Sequence, residues 1–224
     1  MFNSMSEGGM KTHQRAQFET YQDTYMSSKY FGNTCRKSEA IIRGNGAKMA
    51  GYKLPFTLYS DCYVRSTMGS AESMVRAKRG EVYYLDTAAA NINNATIYFY
   101  PAKAFSSLGN ISGGRIGGYA PEQIDLSKAV KLREIVVSTA DDGLINESIA
   151  TGFDVANNNI LEKLYIANLT AYTDSLNLSG CANLKIVDAR NSTFTEVSIA
   201  NNAPIETLLL HNPTVLVLSN LYNL

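Results

Sequence analysis

Leu126-Ser-Lys-Ala-Val-Lys-Leu-Arg-Glu-Ile-Val-Val137 opens a pattern that returns before the chain reaches Leu224. Apolar residues stand at offsets 0, 6, 9 and 11 in four complete copies. The first holds Leu126, Leu132, Ile135 and Val137, and the second Val155, Leu161, Leu164 and Ile166. The third holds Leu178, Leu184, Val187 and Ala189, and the fourth Ile199, Ile205, Leu208 and Leu210. The copies start 29, 23, 21 and 19 residues apart, and Leu218 starts a fifth. A fixed apolar set at such a period marks a chain in which each unit buries its face on the next.

Leu184-x-x-Val187-x-Ala189 and Ile205-x-x-Leu208-x-Leu210 match the front half of a leucine-rich repeat. Each copy is too thin to fill its own interior, and burying each Leu or Ile contributes roughly 1.5–3 kcal/mol, so stacking supplies the core. An apolar pair precedes the later copies, Leu176/Leu178, Val197/Ile199 and Leu216/Leu218, and its alternation predicts a second strand instead of a convex-side helix. An Asn stands seven residues after the second apolar position in three copies: Asn168, Asn191 and Asn212. That is one position earlier than the usual leucine-rich pattern, which leaves open whether the three form a hydrogen-bonded ladder. The long first interval carries an insertion, Thr139-Ala-Asp-Asp-Gly-Leu-Ile-Asn146, expected to bulge as a loop. Leu218-Ser-Asn-Leu-Tyr-Asn-Leu224 begins a copy without completing it and brings no polar cap. The expectation is that the chain is a piece of a longer one, or that another chain covers this end.

Upstream, Pro101–Pro121 reads as a connector in which Phe105, Leu108 and Ile111 form a degenerate first unit. From Ser38 to Tyr100 the period changes to two. Thr57–Arg65, Ser73–Lys78, Glu81–Leu85 and Thr96–Tyr100 read as strands of a small antiparallel region of four or five, punctuated by Gly44-Asn45-Gly46, Met68-Gly69-Ser70, Arg79-Gly80 and Asn93-Asn94. Residues 1–13 read as an arm, and Gln14 to Phe31 as a helix whose Phe18, Tyr21 and Tyr25 make one aromatic stripe. The stripe docks either on this chain or on a neighbouring subunit.

Twenty basic residues balance twenty acidic ones, which gives no electrostatic reason to expect nucleic acid or an anionic membrane as partner. No apolar run has the length of a membrane segment, and the N-terminus carries no signal-like basic and apolar regions. Cys35, Cys62 and Cys181 are too few and too far apart for a disulfide framework.

Cys181 invites a nucleophile reading, but no histidine lies near it; His13 and His211 are the chain's two. A core or turn cysteine is the better reading, because a nucleophilic Cys needs a base. Cys35 and Cys62 lack paired ligand spacing, and Asp141-Asp142-Gly143 lacks the alternating oxygens of a calcium loop. Gly44-Asn-Gly-Ala-Lys48 lacks the closing Gly-Lys-Ser/Thr of a phosphate loop. Arg65, Arg76, Lys78 and Arg79 read as a solvated strand face, as do Glu134, Lys163, Lys185 and Glu206 in the repeats. Asn-x-Ser/Thr triplets such as Asn168-Leu-Thr170 carry no weight without a secretory route. No catalytic, cofactor-binding or metal-binding residue is assigned.

Ser175-Leu-Asn-Leu-Ser-Gly-Cys-Ala-Asn-Leu-Lys-Ile-Val-Asp-Ala189, preceded by Ser107-Leu-Gly-Asn-Ile-Ser112 and Ile124-Asp-Leu-Ser-Lys-Ala-Val-Lys-Leu132, resembles the leucine-rich-like arrays of large virion proteins of crAss-like phages of gut Bacteroidales, one of which forms the tail muzzle. The resemblance spans roughly residues 55 to 224. It implies a structural role in a phage tail, in contact with other virion proteins and with copies of itself in a ring.

The expected fold is therefore mainly β: a short antiparallel region (36–100) followed by a leucine-rich-repeat-like solenoid (101–224), with one helix in an N-terminal arm (1–35). The expected function is a non-enzymatic virion component without cofactor. The alternative is a bacterial leucine-rich surface protein for adhesion or ligand binding.

Overall fold

The computed structural model describes residues 40–44, 53–60, 62–68, 71–77, 82–86, 95–100, 102–112, 116, 121–141, 152–171 and 174–218. Ser38–Leu224 forms one compact unit and Met1–Lys37 a separate one. The arm and helix expected over the first 35 residues lie outside the described residues. The described fold is mainly β.

Six strands come first: β1 (Ala40–Gly44), β2 (Lys53–Leu58), β3 (Cys62–Met68), β4 (Ala71–Ala77), β5 (Val82–Asp86) and β6 (Ala95–Tyr100). A 3-10 turn, Ala102–Ala104, leads into β7 (Phe105–Leu108). The repeats supply β8 (Pro121–Asp125), β9 (Glu134–Ser138), β10 (Gly152–Asp154), β11 (Lys163–Ile166), β12 (Leu176–Leu178), β13 (Ile186–Ala189), β14 (Glu196–Ile199), β15 (Thr207–Leu210) and β16 (Val215–Val217).

Their order follows from the repeat. One sheet runs β15-β13-β11-β9-β7-β2-β5. From β7 to β15 every pairing in it is parallel, and β2 and β5 join antiparallel. The third apolar residue of each copy falls in one row, Ile135, Leu164, Val187 and Leu208, with Leu108 heading it. Leu108, Ile135, Leu164 and Val187 in that row are 0 % exposed. The second strand of each copy goes to other sheets. β12-β14-β16 is parallel, with Leu176, Val197 and Leu216 in register. β10 pairs parallel with β8, which continues antiparallel into β1-β6-β3-β4. The antiparallel strands and the repeats thus share sheets, and β7 bridges the two regimes.

Two details differ from the expected strands. Thr57–Arg65 is not one strand: β2 and β3 belong to different sheets and break at Tyr59-Ser60. The Tyr59 amide leaves the ladder to donate to the Ala104 carbonyl at 2.7 Å, so the period-two pattern ran across a corner. Phe105 and Leu108 enter the core as expected, whereas Ile111 lies beyond β7 and is 40 % exposed.

A second buried column lies at the turns. Ala129, Asn158, Cys181 and Ala203 each donate a backbone N–H three residues back, to Leu126, Val155, Leu178 and Ala200, at 2.9–3.2 Å. All four are buried, which restricts the position to small side chains. Asn158 is the misfit: neither atom of its side-chain amide has a hydrogen-bond partner, although the residue is 0 % exposed. A buried amide without partners costs about 1–3 kcal/mol. Asn158→Ala places in the second copy the residue that the first and fourth already carry, and is expected to stabilise the unit by about 1 kcal/mol after the lost packing is counted. An upward shift of the urea midpoint at constant m checks this; a downward shift would mean that packing outweighs the orphaned amide.

Candidate interaction surface

The candidate surface is built where the parallel stack stops. Among the described residues β15 pairs only with β13, and β16 only with β14, so each forms an edge of its sheet there. Leu208, Leu210, Leu216 and Leu218 there occupy rows that the earlier copies bury. Leu208 and Leu210 are only partly buried, while Leu209, Val215, Leu216, Val217 and Leu218 are 38–46 % exposed. Val197 and Ile199, which stand one copy before Leu216 and Leu218, are at most 5 % exposed, whereas Glu196 and Ser198, one copy before Val215 and Val217, are not buried. Thr207-Leu-Leu-Leu210 and Val215-Leu-Val217 contain no charged residue. Proteins normally protect sheet edges with charges, proline or bulges. Among the described residues no strand pairs with the outer side of either edge, and apolar side chains stand beside it.

Several charges elsewhere on the repeat surface are paired with one another. Arg133 donates to Glu162 at 2.5 Å and to the Tyr59 hydroxyl at 2.7 Å. Lys185 reaches the other Glu162 oxygen at 3.3 Å. Lys185 and Arg133 hold the Glu162 carboxyl below its ordinary range. Lys163 pairs with Glu134 at 3.5 Å. Three of the four charges read as a solvated face are thus in cross-strand ion pairs between copies; such exposed pairs contribute up to about 1 kcal/mol each.

The three asparagines take positive φ: 58° at Asn168, 58° at Asn191 and 35° at Asn212. Asn168 Nδ2 donates to the Thr139 carbonyl at 2.8 Å, and Asn191 Nδ2 to Asn168 Oδ1 at 3.1 Å. Asn168 and Asn191 therefore form a two-rung ladder despite the early position, each from a left-handed backbone.

Cys181 is 0 % exposed and its thiol donates weakly to the Val155 carbonyl at 3.5 Å. Burial pushes its pKa up to about 12. It is held as a thiol, opposite to what a nucleophile needs. The folded pKa lies above the unfolded one of about 8.5, so the associated stability is present below that value and is lost as pH rises towards about 12. The protein is expected to lose about 1.4 kcal/mol per pH unit from this group across that window, a slope that Cys181→Ala removes. Parallel pH series of urea unfolding on both proteins measure the difference; equal slopes would mean that the thiol titrates normally.

Asp141 is exposed and 4.0 Å from Arg190, while Asp142 and Gly143 lie outside the described residues. So do Cys35, His13, Lys78, Arg79 and the turn after Gly44; the Cys62, Arg65 and Arg76 positions fall on β3 and β4. Among the described residues no group of three or more His, Cys, Asp or Glu side chains is placed to hold a metal ion. No described helix is long and apolar enough to cross a membrane.

One feature escaped sequence reading. The ladder of the second face is interrupted between β10 and β12, and a cleft of about 330 Å³ opens there, lined by Gln123, Asp125, Phe153, Asp154 and Asn177 among others. Its polar residues serve local turns. Asp125 accepts from Ser127, Asp154 from the Ala156 amide, and Asn177 from Ser179. Only the repeated Asp/Asn two residues before a small residue hinted at these turns. The chain matches no family model, no curated protein and no solved structure.

Proposed function

We propose that this chain is a non-enzymatic structural component of a phage virion, of the tail-muzzle type. In this reading the parallel strands are the coils of a leucine-rich-repeat-like solenoid that works through protein–protein contacts. The observation that carries the reading is the pair of uncharged, apolar edges at β15 and β16, where Leu216 and Leu218, in rows buried one copy earlier, are exposed and Leu208 and Leu210 are only partly buried. Exposed contiguous apolar surface marks a contact region. The likeness of residues 55–224 to crAss-like virion arrays supplies the setting. Mass spectrometry of purified particles from a host carrying the gene tests it. The chain is expected among the tail proteins, with portal and capsid genes beside its own. Its absence from particles, together with a secretion signal or anchor in the same gene, would overturn the reading in favour of a bacterial surface protein.

A further inference from the structure

We propose that the cleft between β10 and β12 binds a neutral, hydroxyl-rich ligand the size of one or two sugar rings. The proposal goes beyond the virion reading and does not depend on it.

The local chemistry explains why a cleft opens there. The residue before the first apolar position of each copy lies on the outer side of the second face: Asp125, Asp154, Asn177 and Ser198. In the fourth copy the next amide, that of Ala200, donates across to the Leu178 carbonyl at 3.1 Å. The equivalent amides of Ser127, Ala156 and Ser179 turn onto Asp125, Asp154 and Asn177 of their own copies. Among the described residues the ladder stops between the second and third copies. Gly152 adds room: it stands in register with Gln123, and a Cβ there would meet nothing within 4 Å.

The groups left unused select the ligand. Asp125 and Asp154 each commit only Oδ1 to a turn, and Asn177 commits only its side-chain oxygen. Asp125 Oδ2, Asp154 Oδ2, Asn177 Nδ2 and the Gln123 side-chain amide have no partner among the described residues. Ile124 and Phe153 add an apolar wall. No Lys or Arg is among the lining residues, so the two carboxylates repel an anion. An ammonium or guanidinium only donates, and would leave Asn177 Nδ2 without an acceptor. An extended peptide has no way through between the strands, because the turns close that end: Cys181 Sγ lies 3.5 Å from the Val155 carbonyl oxygen. A hydroxyl both donates and accepts, so neighbouring hydroxyls on one ring answer the carboxylates and the amides together. The volume of about 330 Å³ is at the small end for a ligand site, which sets the size.

Two-dimensional NMR of the isotope-labelled chain, titrated with millimolar glucose, galactose, mannose and N-acetylglucosamine, tests this. At least one sugar is expected to give saturable shifts confined to residues 123–125, 152–154 and Asn177. Asp154→Asn and Asn177→Asp each keep the turn-forming oxygen and exchange only the free group. Each is expected to weaken that sugar at least about tenfold, as the loss of one such hydrogen bond does. Glu206→Gln, beside β15 and outside the cleft, is expected to change nothing. Circular dichroism checks the fold of each variant, and either cleft variant alone suffices for the comparison. No saturable shift with any of the four sugars, shifts spread over both faces, or undiminished binding by the cleft variants would overturn the proposal. So would tighter binding of lysine or arginine methyl ester, of inorganic phosphate or of a blocked alanine tripeptide.

Discussion

Gly180→Ala is expected to lower the unfolding free energy by about 3–5 kcal/mol, a large share of the roughly 5–15 kcal/mol that holds a domain together. A Cβ at Gly180 would stand 1.7 Å from the Ala156 carbonyl oxygen and 2.9 Å from its carbon. The obstacle is backbone, so no side chain can swing aside; the turns of the second and third copies would have to separate. That separation pulls at the buried pair on either side, Val155 and Cys181. Urea unfolding should show a much lower midpoint, or no folded protein. A loss under about 1 kcal/mol would mean that the two turns have slack. Lys128, Asn157 and Asn201 stand at the same offset in the other copies, so the requirement for glycine belongs to this one contact.

The second large effect is expected at Asn168. Asn168→Ala removes a donor from the Thr139 carbonyl, leaves Asn191 Nδ2 without its acceptor, and puts an alanine at φ 58°. The left-handed backbone costs about 1–2 kcal/mol for a residue with a Cβ, and the broken hydrogen bonds about 1 kcal/mol each. The sum is about 3–4 kcal/mol. Asn168→Gly keeps the backbone free and loses only the side-chain bonds, so about half of that loss is expected. Equal losses in the two variants would show that backbone strain contributes nothing, and denaturant midpoints separate the cases.

The sequence was most readable where burial and period coincide. Leu132, Ile135 and Val137, Leu161, Leu164 and Ile166, and Leu184, Val187 and Ala189 were picked out by spacing and are all at most 1 % exposed. The alternating pairs Leu176/Leu178 and Val197/Ile199 gave β12 and β14 in the same way. The asparagines were visible as a column, but their backbone conformation was not, because one polar residue in seven does not reveal the sign of φ. The antiparallel strands were harder to place. Period two says that Thr57 to Arg65 is extended, and nothing in it says that the chain changes sheets at Tyr59. The exposed apolar edges were legible only as an unfinished pattern at Leu218. Which residues stand exposed depends on which strand has a neighbour, and that is a property of pairing, not of composition.

The unequal spacing of the copies has a consequence for how such a chain changes over generations. In the parallel ladder a strand bonds only the copy before and the copy after it. A duplication or deletion of one whole unit therefore leaves every other interface intact, so length can drift by steps of a full unit. Within a unit the tolerance is uneven. The stretch from Leu126 to Val137 and its three counterparts keep one length, while the linkers between them vary by up to eight residues, with starts 29, 23 and 21 residues apart. Inherited insertions are expected to accumulate in those linkers, and the twelve-residue cores to resist them.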